Sequence, residues 1–178
     1  EEGKITTGCL YGKLAQKRSI NLVKKVEWAQ GVTAPSSIPA FAFTSTSTLV
    51  GSPWATNPGN LTPANSNGAT AETGAKDFRA GVETVTITEG SDPANWQLSD
   101  LKCVNGEGAA VDGVSYNGHT VTLANVPDAT SAAAVPITCT YTNTYMPPGI
   151  NVVKTANKAQ VHAGDSVTYS YAVTSTGI

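Results

Sequence analysis

The 178-residue sequence has few charged residues: Asp, Glu, Lys and Arg make up 13% of it, against roughly 25% in an average soluble domain. Its formal net charge is −2 at pH 7. This net charge argues against a basic surface of the kind that binds a nucleic acid or an anionic membrane. A disordered acidic or basic tail is excluded as well, because such tails are charge-rich and poor in the β-branched residues that are abundant here.

Long apolar runs and catalytic motifs are also missing. No run approaches the roughly 18–20 apolar residues that span a bilayer, so we expect no membrane insertion in this segment. There is no C-x-x-C or Cys/His spacing for zinc, no phosphate-binding glycine loop and no Ser/His/Asp arrangement. The sequence therefore predicts no metal, no cofactor and no enzyme, and both His119 and His162 are expected to be solvated.

Cysteine is scarce, with three residues at Cys9, Cys103 and Cys139. Cys103 and Cys139 lie in strand-like runs, which in a secreted protein favours a disulfide between them. Cys9 is then left without a partner among the three. Three buried reduced thiols are the alternative.

What the sequence does contain is two-residue alternation of apolar residues with Thr and Ser, typical of half-buried strands. It recurs at residues 84–89, 120–123, 137–142 and 167–173. Turn signals lie between these runs, and Asn117-Gly118 predicts a tight hairpin. Many short strands joined by turns predict an all-β, Ig-like antiparallel sandwich.

Residues 44–75 differ from the rest, because they are rich in Ser, Thr, Asn, Gly and Pro. We expect a surface loop there, with Trp54 as a candidate exposed aromatic.

An internal repeat indicates a tandem array. Residues 9–11 and 20–24 match residues 139–141 and 150–154 at a constant offset. The expected organisation has three parts: residues 1–18 as the last strand of a preceding module or a strand donor, 19–146 as one complete sandwich, and 147–178 as a linker and the opening strands of a second Ig-like domain.

Several short stretches occur in an order that resembles a known family. They are Ile20-Asn21-Leu22-Val23-Lys24, Phe41-Ala42-Phe43-Thr44, Val85-Thr86-Ile87-Thr88-Glu89, Trp96-Gln97-Leu98 with Cys103, and Ile137-Thr138-Cys139-Thr140-Tyr141-Thr142-Asn143. The module resembles the prealbumin-like (transthyretin-like) domains, SpaA-like or CnaB-type, of Gram-positive surface proteins and pilins. Residues 161–174 resemble the Ig-like repeats that follow such modules. The resemblance implies an extracellular structural module of a bacterial surface fibre, pilus or adhesin stalk, with neighbouring modules or subunits as its partners.

Members of that family often carry an isopeptide bond that the domain forms by itself, and the resemblance assigns it to Lys24 and Asn143, with Glu89 as catalyst. Strand parity agrees with this assignment, since each of the three residues shares a face with apolar neighbours. Two alternatives stay open. One is a buried Lys24–Glu89 ion pair without a covalent bond, and the other is that Lys25 faces inward in place of Lys24.

Two other functions are compatible with the sequence. The domain could be a ligand-binding adhesin whose 44–75 loop contacts a host or surface receptor. Alternatively, the chain could be a filament subunit that assembles by β-strand complementation.

Overall fold

The computed structural model of the chain describes residues 16–129 and 136–175. In these ranges the chain forms eleven β-strands, one 3₁₀ turn and no α-helix, which confirms the predicted all-β class. No described helix has the length and apolar character needed to cross a bilayer. The strands are β1 Lys17–Glu27, β2 Phe41–Ser47, β3 Gly59–Leu61, β4 Thr70–Arg79, β5 Val85–Glu89, β6 Trp96–Val104, β7 Val114–Asn117, β8 Thr120–Leu123, β9 Ile137–Tyr145, β10 Ile150–Ala156 and β11 Tyr169–Ser175, with the 3₁₀ turn at Pro53–Ala55.

Strands β1 to β9 form two sheets, one of order β4-β1-β9-β6 and one of order β3-β2-β5-β8-β7. All pairs are antiparallel except β1–β9, which is parallel, whereas the sequence predicted only antiparallel pairs. Parallel neighbours need a long connection between them, and here the rest of the sandwich provides it. The first and last strands of the sandwich therefore lie side by side.

The core lies where the alternating apolar faces of the two sheets meet. Strand β1 shows the rule, because every second residue from Arg18 to Val26 is buried. The buried apolar residues are Ile20, Leu22, Val26, Phe41, Phe43, Trp54, Leu61, Phe78, Ala80, Val85, Ile87, Trp96, Cys103, Val121, Leu123, Val126, Ile137, Cys139 and Tyr141.

The structure corrects the expectation for residues 44–75, which do not form one surface loop. They include the end of β2, the 3₁₀ turn, β3 and the start of β4. Trp54 is fully buried rather than exposed. Its carbonyl oxygen accepts a hydrogen bond of 2.8 Å from the Ser45 hydroxyl. The buried carboxylate of Glu83 fastens the same turn by accepting from the Ser47 and Ser52 hydroxyls.

Both ends of the described chain bear on the proposed domain limits. Strand β1 begins at Lys17, two residues before the expected start of the module. Residues 1–15, including Cys9, lie outside the described residues. At the other end, β10 and β11 form a separate antiparallel pair whose residues are all exposed. Lys154, which the repeat aligns with Lys24, lies 3.9 Å from the ring centroid of Tyr169.

A disulfide joins Cys103 to Cys139, the pairing expected from the sequence. The two residues lie directly opposite each other on β6 and β9. The bond therefore fixes the closing strand β9 to β6 on the side away from β1.

Candidate functional site

A buried lysine lies at the centre of the candidate site. The side chain of Lys24 points from β1 into the core and is completely inaccessible to solvent. Its Nζ donates to the carbonyl oxygens of Lys25, at 3.1 Å, and Tyr141, at 3.0 Å. It also lies 4.3 Å from the ring centroid of Phe41. These contacts hold the amine in one place between the two sheets.

Asn143 and Glu89 meet this amine from two different strands. In the parallel register of β1 and β9, Lys24 lies opposite Tyr141, so Asn143 is two residues further along and on the same face. Nζ of Lys24 lies 2.5 Å from Oδ1 of Asn143. From the end of β5 in the opposing sheet, Oε1 of Glu89 lies 3.3 Å from Nζ. Asn143 and Glu89 are 0% and 3% exposed.

Burial shifts the pKa values of both ionisable groups toward their neutral forms. Loss of solvation lowers the pKa of Lys24 to about 8, although the nearby Glu89 carboxylate opposes the shift. Loss of solvation likewise raises the pKa of Glu89, against the opposing effect of Lys24. Neither buried oxygen of Glu89 has a well-aligned hydrogen bond, which further disfavours the ionised carboxylate.

The alternative in which Lys25 faces inward is wrong. The Lys25 side chain is 38% exposed and pairs with Glu27 at 2.9 Å, on the outer face of β1. Strand alternation allows only one of two adjacent lysines to enter the core, and that residue is Lys24.

Two residues that the sequence analysis did not assign to the site complete it. Oδ1 of Asp92, in the turn between β5 and β6, accepts a 3.1 Å hydrogen bond from Nδ2 of Asn143. His119 lies beside it, with Nε2 at 3.6 Å from Oδ2 of Asp92, and its Nδ1 donates to the carbonyl oxygen of Gly90 at 3.0 Å. The expectation that His119 is merely solvated is therefore wrong, because the Asn117-Gly118 hairpin brings it to the mouth of the site.

Glu89, Asp92 and His119 each place a potential metal-ligand atom within 4.8 Å of the others. The Lys24 amine already lies against Glu89, and as an ammonium it supplies the positive charge that a bound cation would supply. Of the two carboxylates, Asp92 also accepts a hydrogen bond from the Asn143 amide. The cluster is thus arranged around an amine and an amide.

A comparison with protein families agrees with this architecture. Residues 23–145 match the model of the SpaA-type Prealbumin-like fold domain. The chain belongs to this family. Domains of the family are typical of extracellular surface proteins of Gram-positive bacteria and act as structural modules of pili and related surface proteins. No curated protein and no solved structure matches the chain significantly.

The matched range contains the whole site, from Lys24 on the first strand to Asn143 on the last. The SpaA-type domain therefore supplies the scaffold that brings these residues together. Cys103 and Cys139 also lie within it, and their disulfide joins β9 to β6, the neighbour of β9 on the side away from β1.

Proposed function

We propose that this SpaA-type domain is a structural module of an extracellular bacterial surface fibre, pilus or adhesin stalk, and that Lys24 and Asn143 form an intramolecular isopeptide bond. The observation that carries the proposal is the 2.5 Å contact between Nζ of Lys24 and the Asn143 carboxamide, in a fully buried setting with Glu89 at 3.3 Å. A lysine in that setting has a lowered pKa and is available as a neutral nucleophile.

The reaction begins with transfer of a proton from Lys24 to Glu89. The proton that leaves is the one that Nζ directs at Oδ1 of Asn143. The two remaining N–H bonds stay on the carbonyl oxygens of Lys25 and Tyr141, so the lone pair then faces the carboxamide. Neutral Glu89 acts as the general acid that polarises the carboxamide. Nζ then bonds to Cγ of Asn143, the bond from Cγ to Nδ2 breaks, and one proton passes from Nζ to Nδ2. The products are a secondary amide and ammonia, and Glu89 remains neutral.

The position of the bond suits a module under tension. Because β1 and β9 are parallel neighbours, a force that enters at Lys17 and leaves at Tyr145 pulls the two strands along each other. All the hydrogen bonds between them then resist together in shear. A covalent link from Lys24 to Asn143 carries the force from β1 directly to β9. The part of the chain between residues 24 and 143 is then not extended.

The two rival functions have less support. The 44–75 segment is divided among β2, the 3₁₀ turn, β3 and β4 rather than forming one loop, and its exposed large apolar residues are Leu49 and Val50, beside a shallow groove of about 330 Å³. That is a small apolar surface for a receptor. Strand complementation would use residues 1–18, of which 1–15 lie outside the described residues, and the expected second domain after residue 146, whose β10 and β11 pair with each other.

The proposal is tested by mapping linked peptides after proteolysis of the reduced protein. We expect a branched peptide that joins β1 to β9 through Lys24 and Asn143. A Lys24→Met variant should lose it, whereas Lys25→Met, a matched change on the exposed face of the same strand, should keep it. Recovery of both segments as linear peptides from the wild-type protein, with Asn143 unmodified, would contradict the covalent bond.

A further inference from the structure

We infer that Asp92 is a catalytic residue of this site, one that orients the Asn143 carboxamide and stabilises its departing nitrogen. The inference rests on the proposed isopeptide reaction and assigns that reaction a fourth residue. Its basis is the 3.1 Å hydrogen bond that Oδ1 of Asp92 accepts from Nδ2 of Asn143. That nitrogen is the atom that must leave.

The first role of Asp92 is orientation. A carboxamide has one acceptor side and one donor side, and a 180° rotation exchanges them. Asp92, as a carboxylate, accepts hydrogen bonds and donates none, so it selects the rotamer with Nδ2 toward itself. Oδ1 of Asn143 is then directed at Lys24, as the 2.5 Å contact shows. Without Asp92 the flipped amide would present its NH₂ group to the lysine and its oxygen to the solvent side.

The second role is electrostatic. When the Cγ–Nδ2 bond breaks, the leaving nitrogen gains a proton and with it a partial positive charge. A carboxylate 3.1 Å away is in place before the reaction and favours that charge. Asp92 donates no proton in this scheme, so the proton balance of the reaction is unchanged.

The third observation concerns the path of the ammonia. Lys24, Asn143 and Glu89 are buried, whereas the side chains of Asp92 and His119 are 26% and 32% exposed. Solvent therefore reaches the site from the Asp92 side, the side that Nδ2 faces. The leaving group departs past Asp92 and His119 without crossing the core.

Asp92 also has a structural contact, since the same Oδ1 accepts from the backbone N–H of Leu98 at 3.0 Å. An experiment must separate that contact from catalysis. Asp92→Asn keeps an acceptor oxygen for Leu98 and for Nδ2 but removes the charge, and Asp92→Ala removes both. Asp100→Asn is a matched control, because it removes an exposed carboxylate from β6.

The experiment follows mass loss after refolding. Each chain is isolated unfolded and unreacted in denaturant, diluted into buffer and quenched with acid at intervals, and the fraction lighter by about 17 Da is measured by intact mass spectrometry. Folding of each Asp92 variant is measured separately in a Lys24→Met background, which cannot react. We expect Asp92→Asn to slow the loss about tenfold and Asp92→Ala about a hundredfold, with folding rates and the Asp100→Asn control close to wild type.

The possible outcomes are distinct. If the wild-type protein loses no mass, the proposed isopeptide reaction fails and the role of Asp92 fails with it. If the wild type reacts and both Asp92 variants react within about twofold of it, only the role of Asp92 is refuted. If slowing of the reaction is matched by slowing of folding in the Lys24→Met background, the residue is structural and the inference is likewise overturned.

Discussion

The double variant Lys24→Met/Glu89→Gln distinguishes the covalent bond from a buried ion pair by the sign of its effect on thermal stability. The variant removes both fully buried ionisable groups of the site, and methionine fills most of the space of the lysine side chain. If Lys24 and Glu89 form only an ion pair, such a neutral replacement is expected to change stability little, or to raise it by about 1–4 kcal/mol, because the desolvation cost of two buried charges is removed.

The covalent account predicts a large loss. Lys24 and Asn143 are 119 residues apart in sequence, and a cross-link that closes a loop of this length stabilises by about 5 kcal/mol in the chain-entropy model. The Cys103–Cys139 disulfide shortens the effective loop, which lowers that value by only a few tenths of a kcal/mol since the dependence is logarithmic. For a module of about 130 residues the loss corresponds to a fall in Tm of roughly 15–20 °C.

The assay is differential scanning calorimetry of both proteins with the disulfide intact. A matched control is Lys25→Met/Glu27→Gln, which removes an exposed ion pair from the same strand and should change stability by no more than about 1 kcal/mol. A Lys24→Met/Glu89→Gln variant that melts at or above the wild-type temperature would refute the reasoning.

Three further predictions follow from the structure. The rate of the mass loss should be bell-shaped in pH, since Lys24 and Glu89 share one proton in the reactive state. Above about pH 8, near the pKa of Lys24, that proton is lost, and in acid both groups are protonated. A quenched refolding series whose rate rises steadily to pH 10 would exclude Glu89 as an acid. Replacing both Cys103 and Cys139 by Ala should lower the free energy of unfolding by about 3–4 kcal/mol, from their 36-residue separation, and an unchanged guanidinium midpoint would contradict this. Gly113→Ala should destabilise the protein by about 2 kcal/mol or more, because φ is +80° and the new Cβ would lie 2.3 Å from the Ala124 carbonyl oxygen. Gly118→Ala has open space around the new Cβ and should lower the guanidinium midpoint less.

Strand alternation predicted much of the fold because most strands have one apolar face. It missed β4, whose ten residues bury only Phe78. An edge strand that covers little core carries no clear two-residue pattern, and a sequence rich in Thr, Gly and Ala reads as a loop. The burial of Trp54 was missed for a related reason, since the turn that carries it is held by hydrogen bonds to Ser45 and Glu83, which no local sequence pattern predicts.

The residues of the site also divide into those that strand alternation predicted and those that it missed. Lys24, Glu89 and Asn143 lie on regular strands, so their parity could be read from the sequence, and the structure buries all three. Asp92 and His119 lie in or beside turns, where no periodicity relates a residue to a face. Two of the five groups therefore came only from the structure. A signal was present in the Glu89-Gly90-Ser91-Asp92 sequence, because a turn that directly follows Glu89 must bring its polar residues near the same end of the sandwich.

The central claim is that a covalent bond joins β1 to β9, and the intact mass of the reduced, denatured protein tests it most directly. The account predicts a mass about 17 Da below that of the sequence, from the loss of one ammonia, and no such loss in Glu89→Ala. A wild-type mass equal to that of the sequence would contradict the covalent bond and leave Lys24, Glu89 and Asn143 as a buried polar cluster.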